Sequence, residues 1–179
     1  MNIFSQAAEH GIQVIAASSQ AAKNPSSSIY AFTKYTTEQY AKYYYQANIK
    51  VLRFSNVYGG PNYLEAKNSA IACFIKKAQK NEPLLVHGYG SHGRDFIHVD
   101  DVSNAIFLAL FCRQECDSPV DIGTGQLTSI ENVAKLISKD LIYEPNAPVT
   151  LSSAANIYPA KDLFGFEAQI KIEDYLMNL

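Results

Sequence analysis

Two short apolar runs, QVIAA at 13–17 and IKVLRFS at 49–55, constrain this chain more than any other feature. Each has the length and the β-branched, near-continuous apolar character of a strand covered on both faces. Between them, residues 29–46 carry a helical period dense in tyrosine. A buried strand, a helix and a second buried strand imply a parallel βαβ unit with a right-handed crossover, hence an α/β fold.

The same grammar extends along the chain. Residues 2–10 suit a helix that stops at Gly11, and NPSSS is a turn cluster able to cap the helix at 29–46. NVYGGPN reads as a loop and residues 69–80 as a helix. LLVH at 84–87 is a short strand, joined through a glycine-rich hairpin, GYGSHG, to a strand DFIHV at 95–99. A helix then begins at Asp100 or Asp101, where acidic side chains suit the positive end of the dipole. PVDIGTG is a strand entering a turn, SIENVAKLI a helix with Ser129 and Asn132 in its first turn, and IEDYLMNL a last amphipathic piece.

Composition narrows the function classes. With 15 basic and 17 acidic side chains the net charge is -2, so bulk electrostatics does not draw the chain to nucleic acid or to an anionic membrane. No apolar run approaches a membrane span, and the first residues lack a basic region followed by an apolar one; the expected location is cytoplasmic. Cys73, Cys112 and Cys116 show no CxxC spacing and read as buried thiols in a reducing compartment. His87, His92 and His98 are not spaced as metal ligands, so no metal is expected.

Tyr30 and Lys34 stand four apart in the tyrosine-rich helix and therefore share a face. A cation beside a phenol stabilises its phenolate form, which makes the phenol a candidate general acid/base for a hydroxyl proton. The competing reading is an aromatic packing face, since Tyr35, Tyr40, Tyr43, Tyr44 and Tyr45 crowd the same segment. Ser18 and Ser19, which end the first buried strand, put hydroxyls at the carboxyl edge of the sheet, where open α/β folds bind their ligands.

VIAASSQ, IYAFTK, VLRFSNVYGGPN, GYGSHGRDFIHVDDV and DIGTGQLTSIENVAKLI follow one another in this order. Together they resemble the extended short-chain dehydrogenases, the NAD-dependent epimerase/dehydratase family, and within it the second half of a UDP-glucose 4-epimerase-like enzyme. The resemblance implies a partial Rossmann-like parallel sheet without its N-terminal strands, and a small C-terminal substrate-binding lobe. Residues 1–60 would be the C-terminal part of the NAD-binding domain. Residues 61–179 would form the lobe, with a returning Rossmann strand and helix at about 95–122.

It also implies roles. Tyr30 is similar to the family's catalytic base, Lys34 to the cation that supports it and holds the nicotinamide ribose, and Ser19 to their hydroxyl partner. Ser55 matches a position at the nicotinamide end of the cofactor. Asn56 and Asn68 resemble residues that bind the sugar nucleotide, and Arg94 the arginine that pairs with its diphosphate, a role suited to a bidentate guanidinium. The implied cofactor is NAD, with NADP left open, and the implied partner is a nucleotide sugar. A homodimer through the 29–46 helix is a further expectation.

The departures matter equally. The family's GxxGxxG turn, which grips the dinucleotide pyrophosphate, does not occur in this sequence. Ser19 and Tyr30 are only eleven positions apart, and AAK replaces the VYG that usually follows the serines. The function expected is a sugar-nucleotide epimerase, truncated here; the alternatives are a dehydratase or reductase of the same family, or a non-catalytic partner-binding module. A dehydratase would need an acid beside the catalytic hydroxyl, and Gln20, Ala21 and Ala22 supply none. This chain alone should not hold NAD tightly, and a calorimetric titration returning micromolar affinity would contradict that expectation.

Overall fold

The computed structural model describes residues 3–44, 48–61, 63–65, 69–149 and 153–178. In chain order the elements are α1 (Ile3–His10), β1 (Val14–Ser19), α2 (Ile29–Tyr43), β2 (Ile49–Phe54), β3 (Asn56–Tyr58) and α3 (Ala70–Gln79). Then come β4 (Leu84–His87), β5 (Gly93–Arg94), β6 (Phe96–His98), α4 (Val99–Phe111) and β7 (Val120–Ile122). The last are β8 (Thr128–Ser129), α5 (Ile130–Ile137), β9 (Leu141–Glu144), α6 (Tyr158–Phe164) and α7 (Ile172–Met177). They fall into two compact units, one formed by Met1–Ser55, Val102–Ile122 and Ala155–Glu167, the other by Asn56–Asp101, Gly123–Ala154 and Ala168–Leu179.

The first unit is built on a parallel sheet of order β1-β2-β7. Phe4 of α1 and Ala41 of α2 pack with Ala16, Ile49 and Val51 of the strands. Each large aliphatic side chain sealed in this way stabilises the fold by about 1.5–3 kcal/mol. The buried stripe of α2 is Ala31, Glu38 and Ala41, whereas Tyr30, Tyr35, Tyr40 and Tyr43 are exposed. These four tyrosines therefore do not form the packing face that their density suggests, whereas Tyr44, at the cap, packs against the cluster. The expected helix over 29–46 is seen as Ile29–Tyr43, capped at Tyr44, and residues 45–47 lie outside the described residues.

Lys50 is only 1% exposed although it sits in the apolar run of β2. Its ammonium donates to the carbonyls of Ala109, at 2.9 Å, and of Cys112. These carbonyls lie at the C-terminal end of α4, where a helix leaves acceptors unpaired and attracts positive charge. The lysine is thus a C-terminal cap delivered from a neighbouring strand.

Among the described residues, the second unit has three small ladders. β3 pairs with β6 and β4 with β9, both parallel, while β5 pairs with β8 antiparallel. Tyr58, Ile71, Phe74, Leu84, Val86 and Val133 fill its core. Gly59 has φ +86, and a Cβ there would fall 2.2 Å from Nε2 of His98, so the turn after β3 can close only over glycine.

Three readings need correction. NVYGGPN begins as a strand, because Asn56–Tyr58 zips in register onto Phe96–His98. GYGSHG is not a hairpin between adjacent strands: β4 and β6 find separate parallel partners, β9 and β3, which local sequence does not reveal. Asp100 and Asp101 do stand in the first turn of α4, and the buried Asp101 carboxylate also accepts the N–H groups of Gln169 (3.1 Å) and Ile170 (3.0 Å). The cysteines are not buried thiols: Cys73 is on the exposed side of α3, and Cys112 and Cys116, beyond the end of α4, are half-buried.

Lys50→Met keeps the buried volume but leaves the α4 carbonyls without their donor. Urea unfolding should register a loss of about 2 kcal/mol, the usual cost of orphaning buried acceptors.

Candidate active site

The pleat of the parallel sheet sorts its carboxyl-end residues into two rows. Ser18, Arg53 and Asp121 are register neighbours across β1, β2 and β7, and Ser19, Phe54 and Ile122 form the next row. Side chains of successive residues point to opposite faces, so adjacent serines serve different surroundings.

The first row is a buried charged ladder. Ser18 Oγ donates to Oε1 of Glu38 at 2.6 Å, and Arg53 grips the same carboxylate through Nε (2.8 Å) and Nη2 (2.6 Å). Glu38 is 3% exposed. The bidentate bond to Glu38 is the chief cause holding the Arg53 guanidinium above its ordinary value. Arg53 Nη1 lies 4.0 Å from Asp121, whose Oδ2 also accepts from Lys23 Nζ at 2.5 Å and from the N–H of Asn156 at 2.9 Å. None of Glu38, Arg53, Asp121 or Lys23 was singled out from sequence. The available signal was charge of both signs inside apolar strands, Arg53 in IKVLRF and Asp121 in PVDI, because a buried charge requires a partner.

The second row and α2 carry the expected catalytic set. Ser28 caps α2 by accepting the N–H of Ala31 at 3.1 Å, which places Tyr30 in the first turn. Tyr30 is 55% exposed. Lys34 Nζ lies 5.8 Å from the centre of the Tyr30 ring and donates to the carbonyl of Ala17 on β1 at 3.0 Å. Ammonium and phenol therefore share a side of the helix, and the hydrogen bond fixes the ammonium against the strand. Ser19 Oγ accepts the N–H of Ala21 at 3.2 Å, closing the 3-10 turn Gln20–Lys23, and its own O–H is left to donate elsewhere.

Among the described residues, two buried polar atoms of this unit have no hydrogen-bond partner, Ser55 Oγ after β2 and Gln20 Oε1 after β1. Buried polar atoms are nearly always paired, so orphans at the carboxyl ends of parallel strands mark a place where a ligand can complete them.

In the second unit, Asn56 is tied twice to the carbonyl of Asp95, by its N–H at 2.8 Å and by Nδ2 at 3.1 Å. The Asp95 carboxylate accepts Thr124 N–H (2.9 Å), Thr124 Oγ1 (2.8 Å) and Gly125 N–H (3.0 Å). That clamp explains the GTG turn, whose amides answer to a protein carboxylate. Arg94 Nη1 donates to the Gly93 carbonyl at 3.3 Å, and burial pulls the guanidinium below its ordinary value.

Asn56 and Arg94 both line a cavity of about 730 Å³ that also meets Tyr63, Cys73, His87 and His92. Its size is that of a small-molecule site. Burial raises the Tyr63 phenol, partly offset by its bond with the Ser69 hydroxyl. Asn68, the other expected contact, lies outside the described residues. The structure thus brings Ser19, Tyr30, Lys34 and Ser55 into one unit, and Asn56 and Arg94 into the other.

Residues 2–125 match the model of the NAD dependent epimerase/dehydratase family. The chain belongs to the NAD-dependent epimerase/dehydratase family. Over 121 residues it is 35% identical to a Methanocaldococcus jannaschii protein designated a UDP-glucose 4-epimerase, covering 66% of this chain and 39% of that one. A dTDP-L-rhamnose 4-epimerase of Burkholderia thailandensis is 33% identical over 62% of this chain and 32% of its own. Among solved structures of similar fold is MoeE5 in complex with UDP-glucuronic acid and NAD, with a TM-score of 0.82 and 25% identity, covering 97% of this chain and 66% of that one. A UDP-N-acetylglucosamine 4-epimerase of Methanobrevibacter ruminantium shares the fold with a TM-score of 0.86 at 23% identity, over 98% of this chain and 64% of its own. The chain spans about a third to a half of the curated relatives' length. Within the epimerase/dehydratase family the fold is Rossmann-like, and its members are NAD-dependent enzymes.

Proposed function

We propose that this chain carries the acid-base and substrate-binding residues of a nucleotide-sugar 4-epimerase, with Tyr30 as the group that moves the hydroxyl proton. The observation that carries the reading is the Tyr30–Lys34 pair, on one side of α2 with the ammonium anchored to β1. The 4-epimerase designations of its relatives favour this branch of the family.

NAD fits the residues at the carboxyl ends of β1 and β2. The orphaned Ser55 hydroxyl suits the carboxamide end of a nicotinamide, and the remaining N–H donors of Lys34 suit its ribose. When bound, NAD supplies the acceptor and donor of the hydride. Tyr30 takes the proton from a sugar hydroxyl and returns it after the sugar has turned its other face. Lys34 stabilises the negative charge on the phenolate oxygen. Ser19 donates its O–H to the same sugar oxygen and orients it. Asn56 and Arg94 hold the nucleotide portion, the guanidinium facing the diphosphate.

A dehydratase is disfavoured at the residue after Ser19. Gln20 Nε2 donates to the Arg53 carbonyl at 3.4 Å, and an amide there is too weak an acid to protonate a leaving hydroxyl.

The exposed aromatic side of α2, with Tyr40 and Tyr43 beside Ile29 and Phe32, further supports self-association through this helix. Sedimentation velocity should return a dimer that Tyr43→Glu converts to a monomer; a monomeric wild-type chain at all concentrations would sink this part of the reading. For the chemistry, the decisive comparison is Tyr30→Phe in this chain joined to a dinucleotide-binding half of the family. Epimerase turnover should fall by about 10²–10⁴, the usual contribution of a positioned acid-base group, and an unchanged rate would end the proposal.

A further inference from the structure

The cavity of the second unit holds more chemistry than Asn56 and Arg94 account for. His87, at the end of β4, and His92, on the turn before β5, line it together with Arg94. Its described lining contains no carboxylate. We infer that His92, with His87 beside it, completes an anion site with Arg94 and makes the cavity's hold on a nucleoside diphosphate sugar proton-dependent. This rests on the nucleotide-sugar reading above and adds a residue to it.

The backbone that presents His92 is fixed. Gly90 has φ +67, and a Cβ there would lie 2.6 Å from a Val86 methyl and 2.8 Å from Cβ of Glu131, so the turn is pressed against β4 and the start of α5. The His92 carbonyl accepts the N–H of Ile130 at 3.2 Å. Gly93, between His92 and Arg94, comes so close to Leu127 that a Cβ would stand 2.9 Å from that residue's own. Imidazole and guanidinium are thus held on either side of a residue that can carry no side chain.

The neighbouring charges are already engaged. Glu131 of α5 accepts from Lys135 and from the Tyr143 hydroxyl of β9, each at 2.8 Å. Glu144 of β9 lies 3.5 Å from Nε2 of His87. Asp95, after β5, holds Thr124 and Gly125, and α3 contributes the thiol of Cys73 to the lining. His98, elsewhere in the unit, is packed against the rings of Tyr58 and Tyr175.

Burial, then repulsion from Arg94 and His87, lowers His92 below the ordinary histidine value. Without a ligand the imidazole is held in its neutral form to lower pH. A bound diphosphate reverses that preference by stabilising the imidazolium, so binding takes up a proton. Affinity must then rise as pH falls through the window between the ligand-free and the bound value. A nucleotide sugar suits the test, because both of its phosphates stay ionised across this range.

The experiment is calorimetric titration of the intact chain with UDP-glucose, and with uridine as the uncharged control, at about pH 8 and about pH 5.5, either side of the free histidine value. UDP-glucose should bind roughly tenfold tighter at the lower pH, the effect of one additional charge-assisted hydrogen bond. Uridine should show no such change, and His92→Gln should flatten the UDP-glucose profile while His87→Gln leaves most of it. A pH-independent affinity in the wild-type chain, or a full pH dependence retained in His92→Gln, overturns the inference and leaves the nucleotide-sugar reading standing. Absence of UDP-glucose binding at both pH values overturns the two together.

Discussion

The grip of Arg53 and Ser18 on the Glu38 carboxylate is the interaction on which the rest of the first unit depends. Two strands and a helix meet in that one group. Glu38 stands eight residues after Tyr30, so the carboxylate that pins α2 to the sheet also sets how far along β1 the phenol and Lys34 come to rest. A salt bridge this deep adds little net stability over a well-packed apolar substitute, and its use is to define a single arrangement. An apolar helix face could slide by part of a turn at small cost; a carboxylate answering to a guanidinium and a hydroxyl cannot.

Asp121 extends the same logic to the third strand. Its carboxylate gathers Lys23 from the turn that follows Ser19 and the backbone of Asn156 from the segment before α6. The Ser19 turn and the Tyr30 helix are thus referred to a common charged ladder. Asp95 in the second unit works alike, with one buried carboxylate organising a glycine turn and neighbouring the arginine that lines the cavity. In both units a side chain that reads as a defect in an apolar stretch is what holds the working residues in place.

Much of this was legible in the residues. QVIAA and IKVLRF, with a helix between them, declared a parallel pair, and the spacing of Tyr30 and Lys34 placed them on one side of a helix. Ile49–Leu52 is buried throughout as expected, whereas β1 is not covered on both faces, since Ala17 is exposed and Val14 and Ile15 are half-buried. What escaped was long-range pairing. Nothing local to LLVH says that it will pair with Leu141–Glu144, and β9 itself was not anticipated. The thiol of Cys73 was misplaced for a related reason: an apolar-looking helix has a wet side, and small residues populate both. The buried ladder escaped because Glu38, in a segment rich in polar residues, looks like any surface acid until the fold brings Arg53 opposite it.

The twin serines of β1 look interchangeable on paper, yet the pleat makes them unlike. One hydroxyl donates inside the protein to a carboxylate, and its neighbour on the opposite side accepts a backbone N–H and keeps its own O–H to donate. A single-residue deletion anywhere upstream in the strand would exchange their assignments, presenting the wrong oxygen to each environment while leaving composition and hydropathy almost untouched.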